Sequence, residues 1–306
     1  MDQIKNELTH KSKASKQDVR GRTIAFICIA VIMLVVLSIL FMITSRGLST
    51  FIQDKVPVSD FFTKTVWNPS AVDANGHYLV GALPMIVGSF SVTILAALLA
   101  TPFAIATAVF MTEISPKRGQ RILQPVIELL VGIPSVVYGF IGLTVVVPLT
   151  RQLFGGTGFG ILSGTFVLFV MVLPTITSMY IDSLKSVPRF YREASLALGA
   201  TRWQTISRVV IRASVPGLLT AIVFGMARAF GEALAVQMVI GNAALLPHNL
   251  LSPASTLTSV LTTGIGNTVM GTLPNNALWT LALILLVMSL LFNLLTRYIG
   301  RKGGLK

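Results

Sequence analysis

Residues 182–214 read DSLKSVPRFYREASLALGATRWQTISRVVIRAS and lie between two apolar runs, at about 161–181 and 215–241. A segment of 33 residues is too long for a simple turn between two membrane helices, so it has a structure of its own. Pro188 suits the first turn of a helix, an amphipathic stretch through Tyr191, Leu196 and Leu198 follows, and Gly199 fits the position just past a helix end. Thr201 and Gln204 carry the Thr-x-x-Gln spacing of a capping box, in which each side chain satisfies a backbone donor left open at a helix start. The expected shape is helix, glycine turn, helix. Pro216 lies just beyond, where it can begin the next apolar helix without removing a needed hydrogen bond.

The two flanking runs belong to a set of six, the others at about 23–44, 83–111, 123–149 and 277–296. Each is near the length that crosses a bilayer. The composition agrees, with 53% of 306 residues apolar, 11% charged and a mean hydropathy of +0.79. The first run exceeds the apolar core of a signal peptide and has no small-residue cleavage site after it, so it is expected to stay as a membrane helix. The fold class is therefore an all-α membrane protein with six transmembrane helices. It comprises a basic tail at 1–22, a first span at 23–44, a loop at 45–81 broken by Pro57, Asn68, Pro69 and Gly76, a membrane domain at 82–298 and a short tail at 299–306.

A net charge of +13 in a soluble protein would point to nucleic acid, but here topology accounts for it. With both termini cytoplasmic, nineteen of the 24 Lys and Arg residues fall inside, including six in 182–214. Four fall outside, and Arg228 lies within a span. This is the positive-inside pattern of a multi-pass protein of the cell membrane, and nucleic-acid binding is excluded as the reason for the charge. The 242–276 segment, free of Lys and Arg, falls outside with 45–81.

The residues of most covalent and metal chemistry are missing. Cys28 is the single cysteine, and His10, His77 and His248 are scattered without ligand spacing, so no metal site and no cofactor is expected. No Gly-x-x-x-x-Gly-Lys-Ser/Thr loop occurs, so ATP is not bound in the Walker manner, and Gly155, Gly156, Gly158 and Gly160 follow no strand that would make them a dinucleotide fingerprint. A polytopic membrane enzyme would need a nucleophile, paired acids or a metal cluster, and none is present. Within the fifth run stands Arg228-Ala229-Phe230-Gly231-Glu232, followed by Gln237. A charge near the bilayer centre costs roughly 2.5–3.5 kcal/mol on insertion scales, so such groups face a partner, a bundle interior or a watery path. A spacing of four puts Arg228 and Glu232 on one helical face, either as an ion pair that fixes packing or as groups that face a path. Glu128 is expected to pair with Arg121 at the membrane boundary.

Glu193-Ala194-Ser195, then Gly199 and Pro216, resembles the EAA loop of ABC importer permeases, with Ser195 in place of the third-letter alanine. Gly132-Ile133-Pro134-Ser135-Val136-Val137-Tyr138-Gly139-Phe140 resembles the sequence typical of phosphate permeases in that superfamily. Physically, Pro134 should kink this stretch while Gly132 and Gly139 admit close helix packing. Over about residues 80–300 the chain is similar to the PstC-type permeases of phosphate-specific ABC importers. The resemblance implies the type I importer permease fold with a cytoplasmic coupling-helix hairpin. It also implies a second related permease subunit, a cytoplasmic ATPase dimer, an external phosphate-binding protein and a membrane-lipid setting. Glu193, Ala194 and Gly199 carry over as ATPase-contact or loop-shaping positions, and Arg228 and Glu232 as the phosphate path. This subunit would catalyse nothing itself. A permease for another oxyanion, such as molybdate or sulfate, would keep 193–199 but need not keep 132–140 or Glu232. A scaffold would not explain an Arg and a Glu in one span.

Overall fold

The structure, a computed structural model, describes residues 13–73, 76 and 78–303, with side chains over 17–73, 76 and 78–300. His10, His77 and most of the basic tail therefore lie outside the described residues. The chain divides into two units, Met1–Arg46 and Gly47–Lys306. Helix α1, Lys13–Ile52, extends past both limits of the 23–44 run. Within the first unit its side chains from 17 to 42 are exposed, and they are apolar all round from Thr23 onward. A helix with no polar face is stable only in an apolar surround.

Among the described residues, six helices are long and apolar enough to cross a membrane: Gln17–Ile52, Leu83–Ile114, Ser135–Phe154, Ile161–Ser186, Arg202–Phe230 and Leu273–Gly300. In the second unit the described residues of 47–81 are folded. Helix α2 (Val58–Thr63) and an antiparallel pair, β1 (Trp67–Val72) and β2 (Tyr78–Val80), close over Phe61. That ring is fully buried and meets Phe51, Phe62 and Trp67 edge-on. Asn276 donates to the Asp54 carboxylate at 2.9 Å and Thr280 to the carbonyl of Gly47 at 2.8 Å, fastening this cap to the last span.

Helix α3 (Leu83–Val109) presents Ala96, Ala100, Ala104 and Ala108, all buried, at every fourth position. Small residues in one row let two helices approach closely, which is how membrane helices gain packing energy in a solvent as apolar as themselves. Helices α3 and α7 (Ile161–Ser186; α4–α6 are the pieces of the third span below) pack along their lengths, and α9 (Ile211–Phe230) packs on α7 in turn. In α7, 67% of the most apolar window is buried, more than in any other span, which makes it the centre of the unit. The last helix, α12 (Leu273–Gly303), lies on α9.

Two of the apolar runs are not single helices. The third divides into α4 (Gln124–Gly132), α5 (Ser135–Ile141), a π-helical turn at Gly142–Val146 and α6 (Val147–Phe154). Pro134 does more than kink it: Ile133, forced out of the helical region as the residue before a proline, is extended at ψ 128°, and the helix stops. The spanning piece thus begins at Ser135 rather than 123. Tyr138 bridges the break by donating to the Leu130 carbonyl at 2.7 Å.

The fifth run also ends early. Its helix is continuous from Arg202, through a π-helical stretch at Thr205–Val210, to Phe230, with Pro216 inside it rather than at its start. After Gly231–Ala233 only one short turn follows, α10 (Leu234–Gln237). Helix α11 (Leu257–Gly264) then occupies part of the 242–276 segment, with Thr256 and Ser259 in a capping box and its first residues buried.

Helices α5 and α10 touch at Gly139. A Cβ there would come within 2.7 Å of Met238 Sδ and 2.9 Å of Ala235 Cα, whereas one on Gly132 would meet nothing within 4 Å. The close approach expected of both glycines belongs to Gly139 alone. Overpacking of this kind costs about 1–3 kcal/mol. Gly139→Val should lower the thermal unfolding midpoint of the detergent-solubilised protein, and Gly132→Val should leave it unchanged. Equal loss at both positions would contradict the contact.

Candidate functional site

Arg228 sits in the last turn of α9 with an exposed side chain. Its Nη1 donates to Thr175 Oγ1 at 2.6 Å, and Thr175 is buried on α7, the residue after Pro174. This bond uses one of the five guanidinium donors. Among the described residues no ion pair joins Arg228 to Glu232. The shared helical face expected of them needs an unbroken helix, and α9 stops at Phe230, whose buried ring lies edge-on to Phe90 and tilted on Phe292.

Glu232 turns toward the chain that follows. Its Oε1 accepts the Ala235 N–H at 3.2 Å and its backbone carbonyl accepts the Thr258 hydroxyl at 2.8 Å. The carboxylate thereby satisfies an open donor at the start of α10, where a negative charge is favoured. Hydroxyls of Ser89, Thr93, Thr256 and Thr258 line a small space beside Glu232, and Thr262 donates to Gln237 Oε1 at 2.8 Å. The break in the fifth span is thus a polar patch inside the membrane domain: one arginine, one carboxylate and a set of hydroxyls. Sequence reasoning named the two charges and missed the hydroxyls. Thr175 gave no signal in an apolar run, whereas Ser255–Thr263 lies in the 242–276 segment placed outside, so its Ser/Thr density was not joined to the two charges.

At the other end of the Arg202–Phe230 helix lies the hairpin. Its first arm is α8 (Arg189–Ala197), which carries Glu193 exposed and Ala194 half-buried. Gly199 has φ +83°, the left-handed conformation that glycine adopts without penalty, and Ala200 and Gly199 donate back to Ser195 and Leu196 at 3.2 and 3.0 Å. This is a Schellman motif, and it turns the chain at once. Thr201 and Gln204 complete the capping box with bonds of 2.8 and 3.2 Å, and the hydroxyls of Ser195 and Thr205 meet at 2.9 Å across the two arms. Phe190, Leu198 and Trp203 stand exposed on the outer surface, Leu198 at 90%.

One contact here was not legible in the sequence. Arg192 reaches from α8 to Glu113, in a π-helical turn at Phe110–Ile114 beyond α3, with Nε to Oε2 at 3.1 Å and Nη2 to Oε1 at 2.6 Å. The same guanidinium donates to the carbonyls of Val187 at 2.7 Å and Leu184 at 3.1 Å. Glu128 accepts from Gln124 at 2.9 Å and does not pair with Arg121 as expected. Among the described residues no group of three His, Cys, Asp or Glu side chains is arranged to hold a metal ion.

Comparison with known proteins gives these features a family. The sequence signature of the family described as "Binding-protein-dependent transport system inner membrane component" matches residues 100–303. The chain is 51% identical over 296 residues to the probable ABC transporter permease protein YqgH of Bacillus subtilis (strain 168), covering 96% of this chain and 94% of that protein. It is 34% identical over 258 residues to the phosphate transport system permease protein PstC of Mesorhizobium japonicum, covering 78% and 77%. Among solved structures, a bacterial alginate ABC transporter aligns with a TM-score of 0.59 at 14% identity, over 95% of this chain and 96% of that chain. The MetNI methionine ABC transporter aligns with a TM-score of 0.55 at 18% identity, over 70% and 94%. The structural likenesses speak for the type I importer fold and the sequence likenesses for descent. The chain belongs to the binding-protein-dependent transport system inner membrane component family, as a multi-pass ABC importer permease of the PstC type.

Proposed function

We propose that this chain forms half of the path by which an ATP-driven importer carries inorganic phosphate across the cell membrane, with a second related permease forming the other half. The observation that carries this reading is Arg228: a guanidinium on an exposed side of a membrane span, hydrogen-bonded to Thr175 and, among the described residues, to no carboxylate. A lipid-facing position is costly for such a group. A path between two permeases gives it a polar surround and leaves its remaining donors to form the planar fork that suits phosphate oxygens.

In this reading Glu232 sets the anion choice. Phosphate retains a proton near neutral pH that a carboxylate can accept, while fully ionised sulfate meets only repulsion. An external phosphate-binding protein delivers the anion, and a cytoplasmic ATPase dimer supplies the work. The hairpin at 182–214 faces the cytoplasm with both termini, Glu193 and Ala194 lie on the ATPase-docking arm, and Gly199 shapes its turn. ATP binding closes the motor, the hairpins move, and the path exchanges the side to which it opens.

The hydrogen bond from Ala235 to Glu232 favours a second reading of that residue, as a packing group that caps α10. The oxyanion would then be chosen elsewhere, and molybdate or sulfate would remain eligible cargo.

Both readings are separated by reconstituting the complex with its binding protein in proteoliposomes and measuring ATP-dependent phosphate uptake against sulfate and molybdate. Arg228→Gln should reduce uptake to background in a fully assembled complex; normal uptake would remove Arg228 from the path. Thr175→Val, which frees the guanidinium from α7, should lower uptake by about tenfold, the scale of one lost hydrogen bond to a charged group. Glu232→Gln should let sulfate compete if the carboxylate selects, and should leave competition unchanged if it only caps α10.

A further inference from the structure

We propose that Arg192 and Glu113 form a positioning clamp that makes the coupling hairpin move as one body with the ends of α3 and α7. The hairpin's first arm meets α7 at an elbow, where α7 ends at Ser186, Val187 is extended at ψ 120° and α8 begins at Arg189. An extended residue between two helices leaves their angle free unless something fixes it. Helix ends also leave carbonyls without intrahelical partners. The Arg192 guanidinium answers both needs: it bonds the Leu184 and Val187 carbonyls at the end of α7 and, through both carboxylate oxygens of Glu113, the chain beyond α3. A cation at a helix C-terminus is further favoured by the helix dipole. One side chain therefore triangulates three elements.

The burial of the pair suits such a link. The Arg192 and Glu113 side chains are 23% and 10% exposed, shielded more than a surface pair of little worth but not stripped of water as a fully buried one would be. Around them lies a groove of about 400 Å³, with Met111, Pro116 and Gln120 on one wall and Lys185 and Arg189 on the other. Across that groove side-chain packing is incomplete, so the tie between α8 and the 110–120 segment is concentrated in the ion pair. Glu193, one residue along, lies on the arm assigned to ATPase docking. A push received there passes through Arg192 to two membrane spans.

This inference rests on the ATP-driven import reading for its purpose but is tested apart from it. In a Cys28→Ser background, spin labels at Ala197→Cys and Lys117→Cys report the separation of the hairpin from the 110–120 segment, with and without ATP, in the assembled complex. The wild-type pair should give one narrow distance in both states. Glu113→Gln and Arg192→Lys, which keeps charge but loses the fork, should broaden it. Both variants should retain the ATPase on purification, yet raise the ATP hydrolysed per phosphate imported above the wild-type ratio. An unchanged distance in the variants would overturn the clamp. So would a broadened distance with a wild-type ATP-to-phosphate ratio, which would make the pair a local staple, or loss of the ATPase, which would make it an assembly contact. A wild-type complex that carries no phosphate would count against the proposed cargo, while the distance measurement would still decide the clamp.

Discussion

Hydrocarbon offers no hydrogen bonds, and each unpaired backbone group left in it costs several kcal/mol. That constraint governs where this chain is permitted to be irregular. Its helices α3 and α7 run unbroken through Pro102 and Pro174. The two breaks, at Ile133–Pro134 and at Gly231–Ala233, flank the helices that touch each other at Gly139. Each is repaired from within: Tyr138 serves the first, and the Glu232 carboxylate and the Thr258 hydroxyl serve the second. Irregular backbone in a membrane is tolerated where it is covered by protein or lines a watery path. The charged patch lies at one of these two places.

Under the proposed topology the hairpin stands in water and obeys a different rule. There, each stop and start is made by a local side chain or a left-handed glycine, and the two arms are tied by one hydroxyl pair, Ser195 and Thr205. Such a structure is stiff without a core of its own. Its outer surface keeps Leu198 and Trp203 exposed, which a solvated loop does not require and which a protein partner would cover.

What was legible in the sequence divides along the same line. The six spans follow from apolar length, and the hairpin from residues that act within five positions of one another: Gly199, Thr201 and Gln204. The clamp joins Arg192 to a residue 79 positions away, and no local pattern marks it. The end of α9 was hidden for another reason, since the apolar run continues past Gly231 and hydropathy does not distinguish a helix from a buried irregular segment. The folding of 45–81 was hidden by its polar loop residues, although Phe51, Phe61, Phe62 and Trp67 form the small core over which it closes.

Arg202–Phe230 is one helix of 29 residues, about 43 Å long at the usual rise per residue, with the hairpin's second arm at one end and Arg228 in its final turn. Under the proposed function, a motor and an anion sit at opposite ends of a single rod. Influence along a rod runs in both directions. By thermodynamic linkage, whatever factor the bound anion imposes on the affinity for nucleotide, nucleotide imposes equally on the affinity for the anion. A permease built this way senses its cargo and its fuel through the same piece of backbone.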